Sequence, residues 1–362
     1  MINFLQFLLP QRFLGIDVGT SYIKLVEISR FGHRRRLENY GSITAEVLYK
    51  KPFRTFDKNT LLLSSEDIAK AISAILEEAK IKTKQAVFSI PDFSTFFTSF
   101  ELPPMTKEEL AQAVRYEAKQ HIPFPLSEMT LDWRVIDERA FNRKGEKLTI
   151  LLAAVPNEII NQYRGIANLA GLELFALEAE VFGLIRSLIG EDEKEPFGII
   201  DIGAQSTTCS IVEKKNLFTS HSFDIAGNEI TNVISKGFNI DWKEAEEIKK
   251  KYGLLADGQT DGQRNIRQVI SPLIDNIIRE AEGIFYSFYQ KRRVEVKKVK
   301  VAGGLALLPG LKDYFTERLK KEIIIADPFS SIFFPPILEK TLKEMGPSYA
   351  VAVGSALRGL EY

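Results

Sequence analysis

The stretch GIDVGTSYIKLVEI, Gly15 to Ile28, decides how this chain reads. An apolar run ends in Asp17, Gly19 follows two places on, the hydroxyl residues Thr20 and Ser21 come next, and strand-like sequence resumes. FGIIDIGAQSTTCSIV, Phe197 to Val212, repeats the pattern with Asp201, Gly203, Ser206 and Thr207. A carboxylate at a strand end, a glycine that admits close backbone approach, and clustered hydroxyl and amide donors are the parts of a phosphate-holding turn. One copy is a weak signal, because Asp, Gly, Ser and Thr crowd ordinary turns. Two copies, each on an apolar strand, predict two halves that grip a nucleotide between them. Asp17 and Asp201 then face each other across a cleft, where Mg²⁺ neutralises polyphosphate charge.

A third element extends the reading. KVKVAGGLALLPGLKDYF, Lys298 to Phe315, reads as a strand, a Gly303-Gly304 turn whose backbone can lie against a base or ribose, and a helix. With it the chain resembles the actin-like ATPase superfamily. Asp17-Val-Gly19-Thr20 is similar to that superfamily's first phosphate loop, Asp201-Ile-Gly203-Ala204-Gln205-Ser206-Thr207 to the second, and Gly303-Gly304-Leu305 to the adenosine loop, in the expected order. The resemblance implies ATP or ADP with Mg²⁺, the metal held by Asp17 and Asp201. The phosphates then lie between Thr20, Ser21 and Lys24 on one side and Gly203, Gln205, Ser206 and Thr207 on the other.

Smaller segments agree. AGNEIT, Ala226 to Thr231, resembles the G-G-D-x-I-T segment bordering the nucleotide and brings in Gly227 and Asn228, with Asn where Asp is frequent. AEEIKKKYG, Ala245 to Gly253, resembles the helix whose Glu and Lys face adenosine, here Glu246 and Lys249. Taken singly, Lys24 reads equally as a water-facing strand residue, and Glu246 and Lys249 as surface charges of a helix. LEAEVFGLIRSL, Leu177 to Leu188, resembles the inter-lobe helix that positions the hydrolytic water. It nominates Glu180 and then Glu178; each reads equally as a helix N-terminal carboxylate favoured by the dipole. Turnover stays open, at most a slow ATPase.

Composition bounds the alternatives. At 362 residues the chain exceeds the size of a single core, so two lobes are expected. Lys plus Arg and Asp plus Glu both number 48, which argues against a nucleic-acid partner. A lone cysteine, Cys209, precludes an internal disulfide and reads as a small buried residue, and three scattered histidines give little support to a His/Cys metal site or a Ser/His/Asp triad. No apolar run approaches the roughly 18 residues needed to span a bilayer. The apolar N-terminal MINFLQFLLPQRF lacks a basic n-region and a cleavage site, so it reads as packing on its own domain in preference to touching a membrane or partner helix. A cytoplasmic protein is expected.

The order of elements gives the architecture: α/β, actin-like (ribonuclease H-like), two-lobed. Residues 1–91 read as the opening stretch of the first lobe; 92–172 as an inserted β-α-β-β-α subdomain; 173–192 as the rest of the first lobe with its inter-lobe helix; and 193–362 as the second lobe with a helical subdomain at about 232–297. Within the insertion, Thr106 with Glu109 forms a capping box, a polar turn falls at Asn142 to Gly145, and Asn157 caps a helix. In the second lobe, Ser271-Pro272 opens a long helix. Arg34-Arg35-Arg36 reads as a solvated hairpin tip beside Gly32.

An insertion at this point resembles FtsA and, more closely, the PilM family of type IV pilus assembly proteins, including AAVPNEIINQYRGIANLAGL from Ala153 to Leu172. FtsA-like proteins carry a long tail ending in a basic membrane helix, whereas this sequence ends SYAVAVGSALRGLEY, which favours the PilM branch. The resemblance implies a nucleotide-liganded cytoplasmic scaffold recruited to the inner face of the cell membrane. It would bind the N-terminal cytoplasmic peptide of a PilN-like inner-membrane protein and contact other pilus-assembly subunits; self-association stays open. Phe93, Phe96, Phe97 and Phe100 are the candidate peptide-binding patch. The alternative is a small-molecule kinase of the sugar or acetate kinase type, which shares the duplicated loops.

Overall fold

The two acidic stretches become the same structure twice. The computed structural model describes residues 11–45, 52–57, 60–136, 147–190, 193–255 and 261–361. The apolar segment before Gln11 and the polar turn at Asn142 to Gly145 lie outside the described residues.

In the first lobe, β1 (Gln11–Val18), β2 (Tyr22–Phe31) and β3 (Arg34–Thr44) run antiparallel, followed by a small hairpin of β4 (Arg54–Asp57) and β5 (Thr60–Leu63), then α1 (Ser65–Glu78) and β6 (Gln85–Ile90). The insertion supplies β7 (Phe96–Leu102), α2 (Lys107–His121), β8 (Met129–Val135), β9 (Leu148–Pro156) and α3 (Asn157–Leu169), after which β10 (Glu173–Ala179) and α4 (Glu180–Leu188) return to the first lobe. The second lobe contains β11 (Phe197–Ile202), β12 (Thr207–Glu213), β13 (Asn216–Phe223), α5 (Gly227–Phe238), α6 (Trp242–Tyr252), α7 (Asp261–Arg292), β14 (Lys298–Ala302), α8 (Leu311–Leu319), β15 (Glu322–Ile325) and α9 (Glu339–Gly359). The sheets have orders β10-β6-β1-β2-β3 and β13-β12-β11-β14-β15. Each is a three-strand meander extended by two parallel strands, so the sequence repeat is a structural repeat.

Strand alternation explains the layers. Along β1, Leu14 and Ile16 pack with Ile68 and Ile72 of α1, while Phe13 joins Ala352, Val353 and Ala356 of α9. Along β11, Ile200 and Ile202 pack with Ile230 of α5 and Ile274 of α7, while Phe197 and Ile199 join Val181, Leu184 and Ile185 of α4. The connecting helices are therefore exchanged: α4 leaves the first lobe and covers the second sheet, and α9 leaves the second lobe and covers the first.

They cross without side chains between them. A Cβ on Gly354 would lie 1.9 Å from the carbonyl oxygen of Gly183, and one on Gly15 would lie 1.9 Å from that of Ala352.

The insertion is a sheet of order β7-β9-β8 with α2 packed through Leu110, Val114 and Ala118. Thr106 and Glu109 form the expected capping box. Phe97 and Phe182 of α4 meet edge-on at 5.9 Å, which seats the insertion on the lobe junction. The expected boundary at residue 172 groups α3 with the insertion, but Ile159, Tyr163 and Ile166 of α3 lie in the core beneath the first sheet, against α1.

Three local expectations are corrected. Asn157 is the first residue of its helix and its side chain accepts from Thr130 Oγ1, so the cap position falls to Pro156. The long helix does not open at Ser271-Pro272: α7 begins at Asp261, because buried Ile266 and Ile270 continue the stripe of Ile274 and Ile277, and that burial offsets the hydrogen bond Pro272 removes. Leu177 to Ala179 belong to strand β10, so the inter-lobe helix starts at Glu180.

The glycine contacts carry an expected outcome. Gly15→Ala and Gly354→Ala each force backbone apart and should cost about 3 kcal/mol or more in urea unfolding. Gly283→Ala, at an open helical position, should gain up to about 1 kcal/mol.

Candidate functional site

Period-two alternation aims both acids inward. Asp17 shares a strand face with Phe13 and Gly15, the side covered by α9; Asp201 shares one with Phe197 and Ile199, the side covered by α4. Both stand at the carboxyl ends of central strands, where α/β sheets bind ligands.

The turns after them close alike. Gly19 N–H donates to the Tyr22 carbonyl at 2.9 Å, and Gly203 N–H donates to the Ser206 carbonyl at 3.0 Å. The turns also touch, since Thr20 Oγ1 donates to Gln205 Oε1 at 3.5 Å. Gly19 has its Cβ direction against the Tyr22 carbonyl, and Gly203 against that of Ser206, so the close approach is built into both copies.

Lys24 lies opposite Asp17 in the β1–β2 register, with Nζ 3.6 Å from its carboxylate, so this lysine faces the site. Ser89 of β6 donates to the other Asp17 oxygen at 3.2 Å. The hydroxyl of Thr207, expected on phosphate, is instead buried and donates to the Ile225 carbonyl at 2.6 Å; it ties β12 to the segment before α5. Ser21 sits in the first turn, its carbonyl accepting from Ala45 N–H.

The second turn is held from below by α5. Gly227 and Asn228 donate their backbone N–H groups to the carbonyls of Gly203 and Ala204, at 3.0 and 2.7 Å. Glu246 and Lys249 form a network beside Gly227: Lys249 Nζ lies 2.5 Å from Glu246 and donates to the Gly227 carbonyl and to Thr231, while Thr231 donates to Glu246. Burial lowers the Lys249 pKa, and Glu246 opposes that shift. These two are a structural pair at the site's edge, not surface charges. A cleft of about 640 Å³, lined by Ala204, Gln205, Asn228, Asn232 and Trp242, opens directly beside the second turn.

Gly303 adopts φ +89°, and a Cβ there would lie 2.3 Å from the Ile202 carbonyl and 2.6 Å from Asp201. Only glycine fits. Gly304 beside it faces open space, as a surface for a flat ligand requires. Leu305 contributes its backbone N–H to the Ile202 carbonyl, and its side chain belongs to the core.

The sequence reading missed the second layer of charge. Arg54 of β4 reaches Glu180 at the start of α4, 2.8 Å apart, with both side chains about nine-tenths buried. Burial opposes the Arg54 charge, and Glu180 foremost outweighs it, so its pKa is raised. Asp92 accepts from Val181 N–H at 3.1 Å, and its own N–H faces Glu180 at 3.4 Å. Burial, then Glu180, holds the Asp92 carboxyl well above the usual range. Burial, then the charges of Glu180 and Asp17, pushes Asp201 up to about 7. Asp92 was legible in principle: it follows β6, which runs parallel to β1, and so stands at a neighbouring strand end. Arg54 follows a span outside the described residues and has no motif around it.

Glu178, the second nominee, is on β10 and is clamped by Arg186 at 2.6 and 3.1 Å; it serves the lobe junction. The four phenylalanines form no exposed patch. Phe100 is buried and stacked on His121 at 4.9 Å, while Phe93, Phe96 and Phe97 are half-buried against the core clusters.

The donor set fits a nucleotide with a hard cation. Asp17 and Asp201, near enough for the charge of one to act on the other, suit Mg²⁺, which takes one or two carboxylates plus phosphate oxygens. Among the described residues no group of three or more His, Cys, Asp or Glu side chains is arranged to hold a metal alone. Among the same residues no helix is long and apolar enough to cross a membrane.

Relatives share this architecture. FtsA of Staphylococcus epidermidis is 21% identical over 378 residues, spanning 93% of this chain and 79% of that protein, and FtsA of Streptococcus pneumoniae is 24% identical over 344 residues, spanning 84% and 73%. Among solved structures, a PilM-PilN type IV pilus biogenesis complex superposes with TM-score 0.81 at 25% identity, covering 96% of this chain and 98% of that one. MreB 5 of Spiroplasma citri, bound to AMPPNP, has TM-score 0.52 at 14% identity, covering 96% and 95%, a likeness of fold. The family described as type IV pilus assembly protein PilM matches residues 15–360, and the chain belongs to that family, an FtsA-like branch of the actin-like ATPases.

Proposed function

We propose that this protein is a nucleotide-liganded scaffold of the type IV pilus assembly machinery. It is cytoplasmic at the inner face of the cell membrane and carries ATP or ADP with Mg²⁺ between its lobes. It binds the N-terminal cytoplasmic peptide of a PilN-like inner-membrane protein and links it to other assembly subunits. The convergence of Asp17 and Asp201 beside glycine turns that touch through Thr20 and Gln205 is the observation that carries the nucleotide. The resemblance to the PilM-PilN complex supports the peptide partner.

Asp17 and Asp201 are the residues that would hold Mg²⁺, which supplies charge neutralisation at the phosphates. Lys24 and the amides and hydroxyls of Gly19, Thr20, Ser21, Gly203, Ala204, Gln205 and Ser206 hold phosphate. Gly227, Asn228, Glu246, Lys249, Gly303, Gly304 and Leu305 frame the nucleoside. Glu180 is the candidate to orient water; its carboxylate is shared with Arg54, which supports a turnover that is at most slow. The peptide lies on the insertion and first lobe, on a surface other than Phe93, Phe96, Phe97 and Phe100, whose rings pack into separate core clusters.

Calorimetry on the full chain tests the cleft. Asp17→Ala and Gly303→Val should abolish ATP binding while circular dichroism stays native; tight binding by both refutes the assignment. Glu180→Gln should keep ATP binding and cut hydrolysis on the order of a hundredfold, the range of a lost acid–base or positioning group; unchanged hydrolysis removes Glu180 from that role. A PilN-type N-terminal peptide should bind, with affinity that differs with and without ATP. No affinity in either state turns the assignment toward a small-molecule kinase.

A further inference from the structure

The proposed nucleotide and peptide sites leave one corner of the first lobe without a role. The β2–β3 hairpin turns at Gly32, with Phe31 and Arg34 as its last cross-strand pair. Alternation places Phe31, Arg34 and Arg36 on the sheet face away from α9, since Ile28 and Leu37 are the residues that enter the α9 cluster. The chain between β15 and α9 runs along the free edge of this hairpin: Phe333 N–H donates to the Arg35 carbonyl, and Leu37 N–H donates to the Phe333 carbonyl, both at 2.9 Å. Ile337 follows in a short turn before α9.

These residues are exposed although they are apolar. Phe31 is 58% exposed, Phe333 64% and Ile337 88%. Phe31 and Phe333 lie on either side of β3, opposite Arg34 and Arg36, about 12 Å apart by strand spacing and rise. Arg34 and Arg36 project beside them, and among the described residues Arg34, Arg35 and Arg36 have no ion-pair partner. The acids close by are engaged: Glu38 accepts from Ser29, Glu339 is paired with Lys343, and Glu344 with Lys340. A protein of zero formal net charge therefore concentrates unpaired positive charge at a corner with protruding apolar tips.

Strand β1 begins beside it, at Gln11, whose register partner is Arg30, next to Phe31. An acidic protein or a nucleic acid would satisfy the arginines and leave Ile337 and the phenylalanines unused. An anionic bilayer takes both, guanidinium groups at the headgroups and apolar tips at the acyl boundary. We infer that the corner formed by Phe31, Arg34, Arg35, Arg36, Phe333 and Ile337 rests directly on an anionic lipid surface, so the chain has a membrane contact of its own besides any made through a partner.

Co-sedimentation of the full chain with vesicles tests this, using equal parts phosphatidylglycerol and phosphatidylcholine against phosphatidylcholine alone. Binding should need phosphatidylglycerol and weaken with salt. The variant Arg34→Ser/Arg35→Ser/Arg36→Ser should partition about a hundredfold more weakly, from three surface-proximal charges. Phe31→Ser/Ile337→Ser should lose about tenfold and leave a remainder more sensitive to salt. Native circular dichroism and unchanged ATP binding in both variants show that the fold is intact. Equal binding to neutral vesicles, or binding unaltered by the arginine variant, overturns the inference. So does a failure to bind vesicles accompanied by a dimer that Phe31→Ser/Ile337→Ser abolishes, which would give the corner to a second copy of the chain.

Discussion

The exchange of helices at Gly183 and Gly354 is the constraint on which the rest depends. Each lobe alone would leave one face of its sheet uncovered, with Phe13, Val26 and Ile28 exposed in the first and Phe197, Ile199 and Val212 in the second. Covering each with a helix from the other lobe makes a single interlocked body. It also fixes where the acids meet: with α9 on one sheet and α4 on the other, the strand ends carrying Asp17 and Asp201 have no direction left but toward each other. The contacts must be backbone on backbone: a side chain at Gly354 would push α9 off α4, and one at Gly15 would push α9 off β1, either of which would disturb the approach of the turns at Thr20 and Gln205.

The electrostatics of the cleft follow from that geometry. Asp17, Asp92, Glu180 and Asp201 are drawn into one region with Lys24 and Arg54 as the cations beside them. Arg54 neutralises Glu180, and Asp92 and Asp201 are pushed toward their neutral forms, each mainly by burial. An arrangement with this surplus of carboxylate has a standing affinity for a cation, and a polyphosphate carrying its own metal meets that demand better than a bare anion would. Arg54 is the ion-pair partner of Glu180, and its Nε is buried without a hydrogen-bond partner.

The fold was legible because its deciding features are local and repeated. Asp-x-Gly after an apolar run, twice, demands the same strand-turn-strand twice, and the capping box at Thr106 is complete within four residues. What the sequence hid is set by tertiary contact. Pro272 looks like a helix start and is overruled by buried Ile266 and Ile270 upstream. Glu178 and Glu180 look equivalent, and a strand-to-helix change between them sends one to Arg186 and the other to Arg54. The hydroxyl of Thr207 looks free and is spent on Ile225. Phe93, Phe96, Phe97 and Phe100 read as a patch by proximity in sequence, whereas Phe93 sits in the turn before β7 and alternation along β7 sends Phe97 to one cluster and Phe96 and Phe100 to another.

The cleft and the basic corner occupy opposite ends of the same strands. Asp17 lies at the carboxyl end of β1, and Gln11 at its amino end pairs with Arg30 beside the hairpin tip. Eight residues of strand, at about 3.4 Å each, therefore separate the Asp17 turn from the hairpin corner by roughly 25 Å. At that distance the charges of one are screened from the other at ordinary ionic strength. The link that remains is mechanical: the segment carrying Phe333 leaves the second lobe after β15, pairs with β3 of the first lobe, and enters α9, the helix that crosses α4 at Gly354. That segment, like the one from α4 to β11, joins the two lobes, and it ties the basic corner through α9 to the helix crossing at Gly354.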